Sequence, residues 1–338
     1  MHILAIDQGT TSTRGLRLTG SAAPEVFATH THRQIYPQTG WVEHQPQEIL
    51  SHIRKIIAAA GPLDAIGLAN QGESCLAWDS HSGEPVSPII VWQDRRTLQK
   101  IEMLKRNGAE MLTLGHAGLP LDAYFSASKL GWILEHIPAA QSLLARGRLH
   151  LGTSESYFIE RLTGHYATDI STASRTSLLN LKSGQWDQDL CELFAVPIHA
   201  LPEIRPSMGD FGHIKSNTQH IPLTASIVDQ QASLYGHGCR QPGDAKITFG
   251  TGAFALMLSG EKRIEPDNGV LPTAAWQCNG QRPEYALEGA VYSASSAINW
   301  ARSLGLFQDF EQINVFTAPA AIERGLVFVP ALTGLACP

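Results

Sequence analysis

The sequence lacks any apolar run of the roughly 20 residues that a membrane-spanning helix needs, and it lacks a basic stretch. The formal net charge is −6, from 25 Lys and Arg against 31 Asp and Glu. Nucleic acids and anionic membrane surfaces are therefore not expected partners. The N-terminus enters an apolar segment at once, without the basic flank and cleavage site of a secretory signal. We expect a cytoplasmic protein.

Cysteine is also scarce and shows no pattern. No pair of cysteines is spaced like a metal-binding clip, so reduced thiols are expected. The 14 histidines form no i, i+4 pair near acidic residues, and we expect most of them at the surface. The cysteines are Cys75, Cys191, Cys239, Cys278 and Cys337.

The composition is that of a globular protein. Of the 338 residues, 43% are hydrophobic and 17% are charged, and the chain is long enough for two domains. Apolar runs typical of buried strands alternate with segments at helical spacing, which predicts an α/β fold with the sheet between helices. One such segment predicts a helix that ends at about Ala60, with its apolar face formed by Ile49, Leu50, Ile53, Ile56 and Ile57. The segment Gly209–His220 is polar and rich in turn residues. We therefore predict a domain boundary after residue 220, which divides the chain into a first domain of residues 1–220 and a second domain of residues 221–338.

The first hairpin is predicted at the very start of the chain. A short apolar strand, Ile3–Ile6, ends at Asp7, and a turn crowded with hydroxyl groups follows before Arg14 opens a second strand. Backbone N–H groups and hydroxyls at such a tip suit a phosphate chain. Asp7 could hold a hydrated Mg²⁺, and Arg14 could neutralise phosphate charge. An ordinary polar turn explains the composition equally well.

A second hairpin repeats this pattern in the other half of the chain. Strands are predicted at Lys246–Phe249 and Ala253–Leu258, with Gly250–Gly252 between them. Two such hairpins suggest related domains that face each other across a cleft. The same stretch also fits the dinucleotide fingerprint G-x-G-x-x-A, which would indicate an NAD-dependent oxidoreductase. That alternative requires a helix next, whereas the sequence continues like a hairpin.

Eight motifs follow one another along the chain: Asp7–Arg14, Gly40–His44, Val91–Thr97, Ala173–Thr176, Asp229–Gln231, Gly250–Gly252, Leu287–Val291 and Val329–Gly334. In order and spacing they resemble those of the glycerol kinase group within the FGGY carbohydrate kinases. The resemblance covers essentially the whole chain. It implies two ribonuclease-H-like domains of the actin/hexokinase/Hsp70 superfold, with the second domain incomplete because the family continues well past Pro338.

The resemblance also implies an activity and its cofactors. A member of this family transfers the γ-phosphoryl group of ATP, with Mg²⁺, to a primary hydroxyl of a polyol or sugar, and Asp7 orders the metal ion. The family nucleotide contacts fall on Thr10, Thr11, Ser12 and Arg14 in the first hairpin, and on Thr251, Ser295 and Asn299 in the second half.

On the substrate side, the resemblance implies that Asp229 is the general base. A carboxylate with an unperturbed pKa of about 3.9 is ionised at neutral pH and can accept the proton of the attacking hydroxyl. From the residue alone, Asp229 could equally be a helix N-cap. The other family positions are polar partners of the polyol at Glu73, Tyr124 and Gln230, and an apolar wall at Trp92 and Phe254, although ordinary core packing would explain the two aromatics.

Two departures from the family pattern affect the expected activity. Gly72 stands where glycerol kinases carry an arginine, which predicts a substrate longer or bulkier than glycerol. The chain also stops at Pro338, so the 338 residues alone are expected to bind polyol weakly and to turn over little ATP. A sugar-binding module without turnover is therefore the second hypothesis, and a homo-oligomer stays open.

Overall fold

The computed structural model describes residues 1–20, 22–216, 219–250, 252–265, 269–291, 293–315 and 318–329. Within these ranges, no helix is both long enough and apolar enough to cross a membrane. Strands and helices alternate through the first two thirds of the chain, as the sequence predicts for an α/β fold.

The strands and α-helices are numbered in chain order. The strands are β1 (His2–Gln8), β2 (Ser12–Thr19), β3 (Glu25–Thr31), β4 (Glu43–His44), β5 (Ala65–Asn70), β6 (Cys75–Asp79), β7 (Ile89–Ile90), β8 (Leu149–Thr153), β9 (Ala167–Asp169), β10 (Leu179–Asn180), β11 (Gln185–Trp186), β12 (Glu203–Arg205), β13 (His213–Lys215), β14 (His220–Val228), β15 (Ala245–Phe249), β16 (Ala253–Gly260), β17 (Leu271–Trp276) and β18 (Glu284–Val291). The α-helices are α1 (Pro46–Ala59), α2 (Leu98–Arg106), α3 (Glu110–His116), α4 (Ser126–His136), α5 (Pro138–Ala145), α6 (Ser154–Thr163), α7 (Ile170–Ala173), α8 (Gln188–Leu193), α9 (Asp229–Gly236) and α10 (Ser295–Ser303).

The largest sheet has six strands in the order β13-β14-β5-β1-β2-β3. Strands β1, β5 and β14 run parallel, whereas β2, β3 and β13 are antiparallel to their neighbours. The carboxyl ends of parallel strands meet at one edge of a sheet, which is where α/β proteins place their ligands. Asp7, Asn70 and Asp229 therefore share one edge.

Helix α1 covers this sheet with the face that the sequence predicts. Its buried residues join those of β1, β5 and α6 in the main core. Burial of an aliphatic side chain of this size contributes roughly 1.5–3 kcal/mol. The five residues expected at helical spacing are all buried: Ile49, Leu50, Ile53, Ile56 and Ile57.

The second half of the chain forms a separate four-stranded sheet, in the order β15-β16-β18-β17 and antiparallel throughout. The predicted second hairpin is formed by β15 and β16. A strand rather than a helix follows Gly252, so the structural condition for the dinucleotide fingerprint is not met.

The six-stranded sheet continues past residue 220, where the sequence placed the end of the first domain. The reason is that β14, which begins at His220, pairs in parallel with β5. The helix that follows, α9, packs against β14, β15 and β16 and so connects the two sheets.

A third sheet, in the order β4-β7-β6-β8, supports one side of the shared edge. Its core partners come from α2, α4 and α5. Two histidines beside this sheet differ from the expected surface location. His32 is 6% exposed and lies against the carbonyl of Thr10, whereas His44 is fully buried against His32 and the side chain of Gln34.

Candidate active site

A cavity of about 130 Å³ opens at the shared carboxyl edge of β1, β5 and β14. The structure brings all of the expected substrate residues together in its lining, although they come from distant parts of the chain. These residues are Glu73, Trp92, Tyr124, Asp229, Gln230 and Phe254. Thr10 of the first hairpin and Gly72 line the same cavity.

Asp229 is the first residue of α9, directly after β14. Burial raises the pKa of its carboxyl group from 3.8 to about 7, and the nearby carboxylates of Glu73 and Asp7 add to the rise. An acid with a pKa near neutrality can both take up and release a proton under ordinary conditions. The Asp229 carboxylate could therefore act as a general base.

A buried hydrogen-bond network positions the backbone that leads into Asp229. The N–H of Val228 donates to Oγ of Ser171 over 3.0 Å, and that hydroxyl donates to Oδ2 of Asp169 over 2.6 Å. The Asp169 carboxylate also accepts from the hydroxyls of Ser207 and Thr172, each at 2.6 Å. Such a fully occupied network fixes the end of β14 in one position.

Glu73 has an unusual backbone conformation, with a φ of +58°. The N–H of Ser74 donates to the carbonyl of Gly72 over 2.6 Å, which closes a tight three-residue turn around Glu73. The hydroxyl of Ser126 donates to the Glu73 carbonyl over 3.0 Å and supports this turn. Strain of this kind costs about 1–3 kcal/mol and is typical of functional sites.

The Glu73 side chain is bound by a buried arginine. Nε of Arg175 donates to Oε1 of Glu73 over 2.6 Å, and Nη2 of Arg175 donates to Oε1 of Glu288 over 2.9 Å. Burial raises the pKa of Glu73, and the Arg175 charge opposes that rise. The cavity thus contains three carboxyl groups and one guanidinium group.

Trp92 and Tyr124 form an aromatic pair in the cavity lining, with ring centroids 5.5 Å apart and rings at 70°. Nε1 of Trp92 donates to Oγ1 of Thr10 over 3.0 Å. Phe254 lies on β16 of the other sheet. The cavity is therefore lined from both sheets, and Trp92 connects it to the first hairpin.

The first hairpin has the local geometry expected of its hydroxyl-rich tip. The N–H of Gly9 donates to the carbonyl of Ser12 over 3.0 Å, which closes the turn. Thr11 and Arg14 are exposed, whereas Ser12 is buried. Of the four residues expected to contact phosphate, Thr10 alone lines the cavity. Thr11 follows it at the tip, and Ser12 and Arg14 lie on β2, where Arg14 pairs with Asp7.

Asp7 fits a metal-binding role by its charge environment. Burial raises its pKa, and the charge of Arg14 opposes the rise. The Asp7 carboxylate in turn raises the pKa of Asp229. Two carboxylates that repel each other at one edge provide the oxygen ligands and negative charge that Mg²⁺ prefers. A different group of metal-type ligands, formed by His116, Asp187 and Asp189, does not line this cavity.

Two of the expected nucleotide residues of the second half, Ser295 and Asn299, lie on α10, which begins next to the other hairpin. The N–H of Ser295, at the start of α10, donates to the carbonyl of Gly250 over 3.1 Å. Asn299 lies one helical turn further along α10. Thr251, the expected contact at the hairpin tip, lies outside the described residues.

Sequence reasoning missed three charged residues at this site. Nζ of Lys246 donates to Oε1 of Gln230 over 2.5 Å, and burial lowers the pKa of the lysine to about 8. Arg175 and Glu288 line the cavity beside Glu73. The sequence could have indicated Arg175 and Glu288 as site residues, because they lie within the family motifs Ala173–Thr176 and Leu287–Val291.

A comparison with protein families identifies this architecture. Residues 2–236 match the model of the N-terminal domain of the FGGY family of carbohydrate kinases. The chain belongs to this family. The match ends at the last residue of α9, beyond the boundary that the sequence analysis placed at residue 220.

Curated relatives agree with this assignment. This FGGY kinase chain is 42% identical to glycerol kinase of Geobacter sp. (strain M21) and 38% identical to glycerol kinase of Haloarcula marismortui. Both alignments cover 100% of the chain and 70% or 71% of the relative. The chain therefore spans about 70% of the length of these relatives.

Solved structures show the same fold. The FGGY kinase chain superimposes on Plasmodium falciparum glycerol kinase with ADP at a TM-score of 0.87 and 29% identity, covering 92% of this chain and 65% of that one. A ligand-bound xylulose kinase from Lactobacillus acidophilus gives a TM-score of 0.85 at 24% identity, covering 100% of this chain and 70% of that one. The fold is thus the α/β fold of FGGY kinases.

Proposed function

We propose that the chain is the catalytic part of an ATP-dependent kinase that phosphorylates a primary hydroxyl of a polyol or sugar. The observation that supports this proposal most strongly is Asp229, an acid with a pKa of about 7 in a cavity lined from both sheets. The family membership and the ADP named for the Plasmodium relative support ATP as the phosphoryl donor.

Asp229 serves as the general base in this proposal. The substrate oxygen forms a bond to the γ-phosphorus while the bond from that phosphorus to the bridging oxygen of ADP breaks. The proton of the attacking hydroxyl passes to the Asp229 carboxylate. A positioned base of this kind contributes typically about 10²–10⁴-fold to the rate.

The cavity matches the two sides of a polyol. The hydroxyl groups of the polyol need polar partners, which Glu73, Tyr124 and Gln230 provide. The C–H groups of the polyol need an apolar wall, which Trp92 and Phe254 provide. Lys246 holds the amide of Gln230 in one orientation through its hydrogen bond to Oε1. The Gln230 amide nitrogen can then donate to a substrate hydroxyl.

The two hairpins would hold Mg-ATP on the side of the cavity next to Thr10. The proposed contacts are Thr10, Thr11, Ser12 and Arg14 in the first half, and Thr251, Ser295 and Asn299 in the second half. Asp7 would order Mg²⁺ through water. When bound, Mg²⁺ neutralises the phosphate charge that builds up during the transfer.

Calorimetry and an ADP-release assay on the 338-residue chain test the proposal. The expected result is weak binding of a neutral polyol and slow ADP release that depends on both the polyol and ATP. Asp229→Asn should keep polyol binding and lose ADP release. Polyol binding without ADP release in the unaltered chain would instead indicate a sugar-binding module. No binding of any polyol, sugar or nucleotide would contradict both functions.

A further inference from the structure

The guanidinium group of Arg175 is buried in the wall of the cavity and only partly satisfied. The side chain is 1% exposed. Its Nε and Nη2 atoms donate to Glu73 and Glu288, but among the described residues Nη1 has no hydrogen-bond partner. A buried donor without a partner is unfavourable, so a substrate oxygen that accepts from Nη1 would be bound selectively.

Gly72 lies beside the aliphatic part of the Arg175 side chain and lines the same cavity. A Cβ atom added at Gly72 would lie 3.4 Å from Cγ1 of Val228 and 3.8 Å from Cγ of Arg175, which are ordinary contact distances. The backbone and the surroundings therefore allow a side chain at position 72. Because the residue is glycine, that space belongs to the cavity instead.

The charges around Arg175 favour a neutral partner. Glu73 and Glu288 both accept from its guanidinium group, and Asp229 lies in the same cavity. The carboxyl groups of Glu73, Glu288 and Asp229 offset the charges of Arg175 and of Lys246 beside Gln230, so the cavity offers an anionic ligand no net attraction. A hydroxyl oxygen can accept from Nη1 without adding charge.

A count of polar partners indicates a substrate with more hydroxyls than glycerol has. Asp229 receives the reacting hydroxyl, and the side chains of Glu73, Tyr124 and Gln230 are enough for the remaining two hydroxyls of glycerol. Nη1 of Arg175, which has no described hydrogen-bond partner, is then left for a further hydroxyl.

We propose that Arg175 is a substrate-binding residue that sets chain-length preference, because its Nη1 donates to a hydroxyl that glycerol lacks. The preferred substrate class is then a neutral tetritol, pentitol or ketose rather than glycerol or an aldonic acid. This inference rests on the proposed function, since it assumes that a polyol occupies the cavity.

Binding measurements on the full 338-residue chain test the preference without requiring turnover. Calorimetry can follow titrations with glycerol, erythritol, ribitol, xylulose and gluconate, and the change in tryptophan fluorescence that is lost in Trp92→Phe gives a second signal from the cavity. Erythritol, ribitol or xylulose should bind about 10-fold or more tightly than glycerol, the effect of one hydrogen bond to a charged group. Gluconate should bind more weakly than ribitol.

Variants separate substrate contact from a purely structural role. Arg175→Lys keeps a positive charge near the two glutamates but lacks the guanidinium fork, and it should weaken ribitol binding about 10- to 100-fold, which is more than it weakens glycerol binding. Arg205→Lys is the matched control, because Arg205 pairs with Glu203 outside the cavity. Gly72→Arg fills that part of the cavity and should reverse the preference in favour of glycerol.

Three outcomes would overturn the inference. One is an unaltered chain that prefers glycerol, another is equal weakening of all polyols by Arg175→Lys, and the third is unchanged preference in Gly72→Arg. Gly72→Arg remains informative if circular dichroism shows that Arg175→Lys does not fold. Polyol-dependent ADP release with glycerol preferred would refute the inference alone, whereas failure of every polyol to bind would refute the proposed function too.

Discussion

Asp7 and Asp229 lie at the same edge of the six-stranded sheet, although they are far apart in the chain. Asp7 pairs with Ala69 across the β1–β5 ladder, and Ala69 pairs with Ile227 across the β5–β14 ladder. Asp229 follows Ile227 by two residues, so both carboxyl groups reach the region beyond the strand ends. Their mutual repulsion contributes to the raised pKa of Asp229.

Asp229→Asn is expected to lower the rate of phosphoryl transfer about 10²–10⁴-fold, because an amide cannot accept the proton of the substrate hydroxyl. The amide has nearly the same shape, so polyol affinity should change little. Steady-state kinetics and calorimetry on the same preparations measure the two effects. A variant that retains most of the kcat would show that Asp229 is not the base.

The rate should depend on pH through the ionisation of Asp229. Its pKa is raised to about 7, so the carboxylate that accepts the proton is lost as the pH falls below that value. We expect kcat/KM to rise with pH and to level off above about pH 7. A profile that is flat between about pH 5 and pH 8 would contradict a base with this pKa.

The ionisation of Asp229, which should raise the rate as the pH rises, should lower the stability of the fold over the same range. The folded protein binds more protons than the unfolded chain between pH 3.8 and about 7, so the free energy of unfolding falls as the pH rises through this range. Asp229→Asn should therefore be more stable than the unaltered chain at about pH 8, by on the order of 1–3 kcal/mol. Urea unfolding should show a smaller difference at about pH 5, and a less stable variant at pH 8 would contradict the raised pKa.

Asp169→Asn tests the network behind the base. Oδ2 of Asp169 accepts from the N–H and hydroxyl of Ser171 and from the hydroxyl of Ser207. An amide nitrogen at that position would face donors, which should cost about 1–3 kcal/mol of stability. The kcat should also fall, because Ser171 anchors Val228 beside the base.

Asp210→Asn provides the control for that experiment, since Asp210 is exposed and accepts from the N–H of Gly212. It should change stability and kcat little. Equal effects of the two substitutions would show that the buried network has no special role.

Gly15→Ala tests the packing of α1 on the sheet. A Cβ atom at Gly15 would lie 2.5 Å from Cγ2 of Ile56, closer than atoms can approach. Thermal unfolding should show destabilisation of about 1–3 kcal/mol. Gly115→Ala, in α3 with no atom within 4 Å of the added Cβ, should be neutral or stabilising. A neutral Gly15→Ala would mean that α1 can shift outward without cost.

Local features of the fold could be predicted from the sequence because short-range patterns determine them. The apolar spacing in α1 predicted five of its six buried residues, and the two Gly- and Thr-rich segments predicted both hairpins. The end of the first sheet could not be predicted. The segment 213–228 reads as a polar turn followed by a strand, and only the pairing of β14 with β5 assigns it to the first sheet.

The sequence by itself determined the family, the residue types of the candidate site and the departure at Gly72, because these depend on the order and identity of residues. Only the tertiary structure decided which of them meet. It placed Arg175 between Glu73 and Glu288, left its Nη1 without a described partner and raised the pKa of Asp229. These properties arise from burial and from contacts between distant segments, and neither is encoded in any single stretch of the chain.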